Sequence, residues 1–139
     1  INNDNNLCYV LYPGKNSIHI NTQKIDPQGK QIIIFIIDST WPCSVKMLRL
    51  SRNLQKLPKI SFTHTKTSQF QIKEQPKEFC LSTIESTQTI LELLNVQGLE
   101  SIEEGALNKF LDPFSSMVQY QLKCATSAEV NNPRFIKHS

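Results

Sequence analysis

Two apolar runs, residues 7–12 and residues 31–37, dominate the hydrophobic pattern of this chain and predict two β-strands. The second run is continuous rather than alternating, which is typical of a strand covered on both faces in a parallel sheet. A third strand is predicted at residues 59–62, after a Leu-Pro pair that ends the preceding pattern. Residues 16–25 form a weaker segment whose type the pattern leaves open.

Two amphipathic helices are predicted between and after these strands. Val45 and Leu48 share one face of the first, which is expected at about residues 42–53. The second opens with residues 82–85, Ser-Thr-Ile-Glu, whose Ser and Glu have the spacing of a capping box. It is expected to end near Gly98, because glycine commonly follows the last helical turn.

A further helical stretch is predicted at about residues 101–124, bent or interrupted by Pro113, and residues 125–139 are expected to form a loosely ordered tail. Strands and helices in alternation predict an α/β fold, with a mostly parallel sheet flanked by helices. The 139 residues suffice for one domain with a hydrophobic core and are too few for two, so a single domain is predicted over residues 1–139.

The net charge of +3 permits a nucleic-acid partner, although an ordinary, slightly basic surface explains it equally well. No run of about eighteen apolar residues is present, so neither a membrane-spanning helix nor a membrane partner is expected. The chain starts without Met and without a basic-then-apolar leader, which indicates a truncated or processed start.

The cysteines, at positions 8, 43, 80 and 124, form no Cys-x-x-Cys pair and have no histidine at ligand spacing. No metal site is therefore expected in this chain. Because nothing marks secretion, reduced thiols in a cytoplasmic protein are expected, with Cys43 and Cys80 as small buried residues rather than nucleophiles. The few glycines form no phosphate-binding fingerprint, which argues against a glycine-rich nucleotide site.

Asp38 is the residue that most strongly suggests chemistry, because it follows the clearest strand and precedes a predicted helix. Ligands of open α/β sheets bind beyond the carboxyl ends of the strands. There Asp38 can act as a base or hold a ligand amine or hydroxyl, or it can merely cap the following helix. Trp41, three residues further on, can stack on a base or fill the core.

Two further segments are expected at the same edge of the sheet. Residues 11–14, Leu-Tyr-Pro-Gly, close the first strand, and the alternative is an ordinary strand stop. Residues 79–83 present backbone amides and hydroxyls at a helix N-terminus, which suits a carboxylate ligand. The alternative there is a well-capped helix and nothing more.

Five motifs, taken in chain order, resemble the DTW domain, a family named for its Asp-x-Thr-Trp motif. The resemblance covers most of the chain, from about Leu11 to Leu94. It implies a SPOUT-like α/β fold with a deep trefoil knot, S-adenosylmethionine as co-substrate and a tRNA uridine as acceptor. The motifs are LYPG at 11–14, DSTW at 38–41, KML and LQKLP at 46–48 and 54–58, SQFQIKEQP at 68–76, and CLSTIE at 80–85.

The sequence departs from the family pattern in three respects. Ser39 stands where the family tends to have Gly or Ala, and Ser44 where it has Ala. The family's aromatic-Arg-x-Arg pattern appears at residues 70–73 as Phe-Gln-Ile-Lys, which removes one forked cation and replaces the other with a point charge. The cysteine-rich N-terminal segment usual in the family is expected to be missing.

The resemblance also implies the reaction and the roles of individual residues. An aminocarboxypropyltransferase presents the methylene carbon of the methionine chain to uridine N3 and leaves methylthioadenosine. Asp38 is then the candidate base or acceptor-positioning group, and Thr40 and Trp41 shape its pocket. The expected cofactor residues are Leu11, Tyr12, Pro13, Gly14, Leu81, Ser82 and Thr83, and the expected phosphate or carboxylate contacts are Arg49, Arg52, Ser68 and Lys73.

Two alternatives to the transferase stay open. A SPOUT-type RNA methyltransferase would differ only in the carbon that it presents, and the loss of the arginine pair favours a noncatalytic RNA-binding module. Arg49 and Arg52 are equally typical of solvated helix residues. The sequence leaves the particular tRNA, the modified position and the oligomeric state open.

Overall fold

The structure, a computed structural model, describes residues 3–63 and 81–131, with the side chains of residues 128–131 excepted. It is a parallel sheet flanked by helices, which confirms the predicted α/β class. The strands are β1 (Asn6–Leu11), β2 (Ile18–His19), β3 (Gln31–Phe35) and β4 (Lys59–Ser61). The helices are α1 (Trp41–Leu50), α2 (Arg52–Gln55), α3 (Thr83–Val96), α4 (Glu104–Lys109) and α5 (Asp112–Asn131).

The described strands form one sheet in the order β2-β4-β1-β3, and every neighbouring pair is parallel. β1 and β3 pair from Asn6↔Gln31 to Val10↔Phe35, so the strand predicted at residues 31–37 ends at Phe35. Because the strands run in one direction, their carboxyl ends meet at one edge of the sheet.

β4 lies between two strands that are close together in the sequence. β1 and β2 both pair with Ile60, on opposite sides of β4. Only residues 12–17 join β1 to β2, so this short connection has to cross β4. Ser17 Oγ and Ser61 Oγ share a hydrogen bond of 2.7 Å where the connection passes β4.

The hydrophobic core joins one face of the sheet to α3. Successive side chains of a strand point to opposite faces, and those of the core face are largely apolar. Burial and, second to it, the charge of Asp26 raise the pKa of Tyr9 above its ordinary value of 10.0. The buried members of this core are Tyr9, Ile20, Ile25, Ile60, Ile90 and Leu94.

The helix predicted at residues 42–53 is divided at Ser51. α1 begins at Trp41 with Thr40 as its N-cap, and Pro42 stands in the first turn, where a missing N–H costs no hydrogen bond. Ser51 has an extended backbone (φ −92°, ψ 95°), which ends α1, and its Oγ accepts a backbone amide of α2. Ser51 therefore both ends α1 and caps the N-terminus of α2.

α3 begins at the predicted capping box. Ser82 Oγ accepts the backbone amide of Glu85 at 3.4 Å, and Glu85 Oε1 accepts the amide of Ser82 at 3.1 Å. The helix ends at its C-cap, Gln97, and Gly98 follows with a φ of 76°. Glycine suits this left-handed position because it has no Cβ.

The last helical segment is divided and longer than predicted. α4 ends at Lys109 and α5 begins at Asp112, so Pro113 stands in the first turn of a new helix and does not bend a continuous one. The predicted loose tail is wrong for residues 125–131, which continue α5. No Gly or Pro follows Pro113 within α5, so nothing in the sequence interrupts it. None of the helices in the described ranges is long and apolar enough to cross a membrane.

Candidate active site

The carboxyl edge of the sheet brings Asp38 to the N-terminus of α3. Asp38 lies in the loop after β3, and the Thr83 hydroxyl donates a hydrogen bond of 2.7 Å to Asp38 Oδ1. The Asp38 side chain is exposed. Within the described part of the chain its second oxygen, Oδ2, makes no hydrogen bond. Among the described residues, one carboxylate oxygen is therefore anchored, and the other is left for a proton or a ligand.

Asp38 does not act as the cap of α1, which was the structural alternative for this residue. The N-cap is Thr40, and no side chain makes a capping bond there. The hydrogen bond of Asp38 runs instead to Thr83, 45 positions further along the chain. The contact therefore joins two of the segments expected at this edge.

Tyr12 and Trp41 join the first segment to the second. Their ring centroids lie 5.6 Å apart with 9° between the ring planes, so the two rings are stacked. Trp41 is 41% exposed, which excludes the alternative that it fills the core. Tyr12 follows β1 directly and is half-buried. The stack therefore fixes the orientation of an aromatic ring that solvent can still reach.

Lys59 is a residue of this edge that the sequence analysis did not single out. Its Nζ lies 5.7 Å from the centroid of the Tyr12 ring, within the range of a cation–π contact. In the sequence, Lys59 could have been noticed as the first residue of the strand predicted at 59–62. That strand lies parallel to the strand that ends beside Tyr12. Strand pairing, which places Lys59 opposite Val10, was needed to connect them.

The turn after Tyr12 contributes mainly backbone. Pro13 and Gly14 are exposed, and the Gly14 carbonyl accepts both the amide and the hydroxyl of Ser17, at 3.1 and 2.7 Å. Ser17 in turn contacts Ser61 of β4. The segment at 11–14 is thereby held across the sheet edge, although Pro13 and Gly14 present no functional side chain.

Ser39 and Ser44, the two departures from the family pattern near Asp38, contact each other. Their Oγ atoms lie 2.7 Å apart in a hydrogen bond. Ser44 is only 8% exposed, so this bond satisfies a buried hydroxyl, and it fixes the loop after β3 to the first turns of α1. The two serines therefore act as a pair.

The N-terminus of α3 supplies the third segment. Its capping box uses the backbone amides of Ser82 and Glu85, and the Ser82 hydroxyl also donates to Glu85 Oε1 at 2.7 Å. The amides of Thr83 and Ile84 take no part in the box, and the start of a helix favours anions. Leu81, which precedes the cap, is half-buried.

The residues expected to meet phosphate or carboxylate fall into two groups. Arg49 on α1 and Arg52 on α2 are exposed. Ser68 and Lys73 lie outside the described residues, as does Cys80. Cys43 is exposed, so the expectation that it is a buried residue is wrong. It stands in the first turn of α1.

No group of three or more His, Cys, Asp or Glu in the described ranges could hold a metal ion. A cavity of about 240 Å³ lies between β3 and α3 and is lined by residues such as Ile34, Ile90 and Leu94. It shares no residue with the edge site. The chemistry-bearing side chains at the strand ends therefore lie apart from this cavity.

An acid, an aromatic pair and a helix N-terminus lie beyond the parallel strands of this α/β domain, at the carboxyl edge where ligands of such sheets commonly bind. Comparison with known families defines the class of protein more closely. The chain belongs to the DTW domain family, whose match covers residues 1–122. All the candidate site residues lie within this match.

Curated relatives carry one name, tRNA-uridine aminocarboxypropyltransferase 2. The chain is 28% identical over 119 residues to the Drosophila melanogaster protein, which is 86% of this chain and 44% of the relative. Identity is 26% over 130 residues to the Macaca fascicularis protein (93% and 41%) and 29% over 115 residues to the Mus musculus protein (82% and 36%). The chain thus spans less than half the length of these relatives. No solved structure matches it significantly.

Proposed function

We propose that this chain is the catalytic domain of a tRNA-uridine aminocarboxypropyltransferase. It transfers the 3-amino-3-carboxypropyl group of S-adenosylmethionine to N3 of a tRNA uridine and releases methylthioadenosine. Membership of the DTW domain family and the names of the relatives support this function. The observation that carries it is the Asp38–Thr83 contact, because an exposed carboxylate that is held in place by one oxygen suits removal of an imide proton.

The proposal includes a SPOUT-like fold with a deep trefoil knot. Two features of the sheet support it. All the described strand pairs are parallel, and β4 lies between β1 and β2, which only residues 12–17 connect. Because this short connection has to cross β4, the sheet departs from the simple connections that ordinary α/β sheets prefer.

The residues at the edge fit the functional groups of S-adenosylmethionine. Tyr12 offers its ring edge to a flat base, and the backbone of residues 11–14 offers polar groups to a ribose. The first-turn amides of α3, at Thr83 and Ile84, suit the carboxylate of the methionine end. In this arrangement Leu81 and Ser82 line the cleft beside them.

The bound co-substrate supplies a sulfonium-activated methylene carbon. Residues of this chain hold its two charged ends, and that positioning decides which carbon meets the acceptor. Asp38 takes the N3 proton of uridine as the N3–C bond forms and the C–S bond breaks. The proton goes to the carboxylate, and the bonding electrons of the C–S bond go to sulfur, which leaves neutral. Thr83 keeps the carboxylate oriented throughout, and Thr40 and Trp41 form the adjoining wall.

The macromolecular partner in this proposal is tRNA, and the cytoplasm is the place of reaction. Arg49, Arg52, Ser68 and Lys73 are its candidate contacts to phosphate or to the substrate carboxylate. Arginine suits such contacts because its planar fork can bind two oxygens at once.

The test is the by-product formed when the purified chain is mixed with S-adenosylmethionine and bulk tRNA. We expect methylthioadenosine, with the mass of the tRNA uridine raised by the transferred group, and neither signal without tRNA. S-adenosylhomocysteine would instead show methyl transfer and overturn the proposal in favour of an RNA methyltransferase. If calorimetry shows that the preparation binds both tRNA and S-adenosylmethionine and neither by-product forms, the chain is a noncatalytic RNA-binding module.

A further inference from the structure

Charge is unevenly distributed along the chain, although the net charge is only +3. Residues 39–63 contain no Asp or Glu, whereas residues 81–127 contain six acidic and two basic residues. The segment without acidic residues includes α1, α2 and β4. Its five basic residues are Lys46, Arg49, Arg52, Lys56 and Lys59.

The basic side chains of α1 lie on its solvent-facing side. Ser44 and Leu48 are the buried residues of the helix. At 3.6 residues per turn, Lys46 lies about 160° around the helix from each of them, and Arg49 lies next to Lys46 on the same side. Both side chains are exposed, and neither forms an ion pair within the described part of the chain. Among the described residues, nothing neutralises the positive charge of α1.

α2 adds two more cations beside α1. The Gln55 side chain donates hydrogen bonds to the carbonyls of Leu48 (3.1 Å) and Arg49 (2.5 Å), which folds α2 back on the end of α1. Arg52 and Lys56 are exposed there. We call Lys46, Arg49, Arg52 and Lys56 the basic surface. It lies within about 15–20 Å of Trp41, because α1 is ten residues long and rises 1.5 Å per residue.

Trp41 ends this surface with a fixed aromatic face. Tyr12 stacks against one face of the indole, and Lys59 lies against the Tyr12 ring. The segment that contains the four cations therefore begins at the sheet edge, at Trp41, and ends there again at Lys59. A ring that is both oriented and 41% exposed has the properties of a stacking platform for an unpaired base.

We propose that the basic surface and the exposed face of Trp41 together bind the RNA substrate. The four cations contact successive phosphates, and one unstacked base lies on Trp41 next to Asp38. The proposed function supplies the identity of the substrate as RNA, while charge and geometry supply the place of binding. Val45 and Met47 are also exposed on α1, so an anionic membrane is the competing partner. The flat packing of Trp41 on Tyr12 favours bases over lipid.

The test of the basic surface compares two variants with the same loss of charge. In the first, Lys46, Arg49, Arg52 and Lys56 are all changed to Gln. In the matched control the exposed residues Lys24, Lys30, Lys109 and Lys123 are changed to Gln. Affinity for fluorescently labelled tRNA is measured without S-adenosylmethionine between about 50 and 200 mM salt. We expect the affinity of the first variant for tRNA to fall tenfold or more at low salt. The slope of log affinity against log salt concentration should become shallower by about 0.7–0.9 for each phosphate contact removed.

The platform is tested with the intrinsic fluorescence of Trp41, the single tryptophan of the sequence. We expect tRNA and short unpaired oligouridylate to quench it. Trp41→Leu should weaken oligouridylate binding roughly 5- to 150-fold without changing the salt slope, because a stacked base contributes about 1–3 kcal/mol and no charge is removed. Tyr120→Leu, at an exposed ring on α5, is the matched control.

Three outcomes would overturn the inference. In the first, the control variant with four lysines changed to Gln binds tRNA as weakly as the variant of the basic surface. In the second, the fluorescence of Trp41 stays unquenched at saturating RNA. In the third, the basic surface governs binding to phosphatidylserine vesicles and leaves tRNA affinity unchanged. Because RNA binding is measured without the co-substrate, these outcomes are separate from failure of the transfer reaction. Normal tRNA affinity with no by-product would count against the function alone.

Discussion

Hydroxyl groups hold the loop after β3, which contains Asp38, in place. Thr83 donates to Asp38, and Ser39 shares a hydrogen bond with Ser44. The first contact joins the loop after β3 to α3, and the second joins it to α1. The strand end and its acid could be predicted from the local pattern, because both depend on neighbouring residues. The partner of Asp38 could not, because it is 45 positions away and is brought close only by the fold.

Asp38→Asn should abolish transfer while it leaves folding and cofactor binding largely intact. The amide oxygen of asparagine can still accept the Thr83 hydroxyl, so we expect a change in the free energy of unfolding below about 1 kcal/mol. The amide cannot take a proton, so the single-turnover rate should fall roughly a hundredfold or more. Thermal melts, cofactor titration and single-turnover transfer to tRNA measure the three quantities.

Asp26→Asn is the matched control for this substitution. Asp26 is also exposed and also accepts one hydrogen bond on Oδ1, from the amide of Gln28, but it lies outside the site. Its variant should transfer at the wild-type rate. A near-normal rate in the Asp38 variant would rule out this carboxylate as the base. Loss of cofactor affinity together with the rate would instead make Asp38 a ligand of the methionine amine.

Ser39→Ala should destabilise the protein more than the double change Ser39→Ala with Ser44→Ala. The single change leaves the Ser44 hydroxyl buried without its partner, at a cost of about 1–3 kcal/mol, whereas the double change removes both polar groups. Urea unfolding of the single and double variants forms a double-mutant cycle. Strictly additive effects would show that the 2.7 Å contact contributes nothing to stability.

The helices and strands show which elements a local pattern can predict. The long apolar strands and the capping box of α3 were predicted because each depends on residues within one turn or one strand. The break at Ser51 was missed because periodicity continues across it. The extension of α5 beyond residue 124 was missed because the sequence of residues 125–131 carries no apolar face that would mark a helix.

Ser82→Ala should destabilise the N-terminus of α3. The substitution removes the acceptor for the Glu85 amide and a donor to Glu85 Oε1, and Glu85 is only 5% exposed. We expect the free energy of unfolding to fall by about 1–2 kcal/mol. Ser86→Ala, one turn further into the same helix, is the control and should be neutral or slightly stabilising, since alanine has the higher helix propensity. Equal losses in the two variants would contradict a specific role for the cap.

The order of the strands lies beyond what hydrophobic patterns can predict. Each strand was recognisable in itself except β2, whose two residues are too few for a pattern. The insertion of β4 between β1 and β2 depends on pairing between distant segments, and the usual preference for simple connections argues against it. Yet this insertion brings Lys59 beside Tyr12, whose ring stacks on Trp41 at the same sheet edge as Asp38. The topology therefore assembles the site.

If the three segments form one cleft, binding of S-adenosylmethionine should protect all of them at once. Hydrogen exchange of the chain with and without saturating S-adenosylmethionine should show slower exchange at residues 11–14, 38–41 and 81–84, although they are far apart in the sequence. The expected protection is strongest at Thr83 and Ile84, whose amides lie at a helix N-terminus and take no part in its capping box. Residues 119–127 of α5 are exposed and serve as the internal control, with no change in exchange expected. Protection that spreads evenly into α5 would indicate general stabilisation of the fold, since any ligand of the native state lowers all global opening. Protection in only one of the three segments would place the co-substrate elsewhere, and the shared cleft would have to be abandoned.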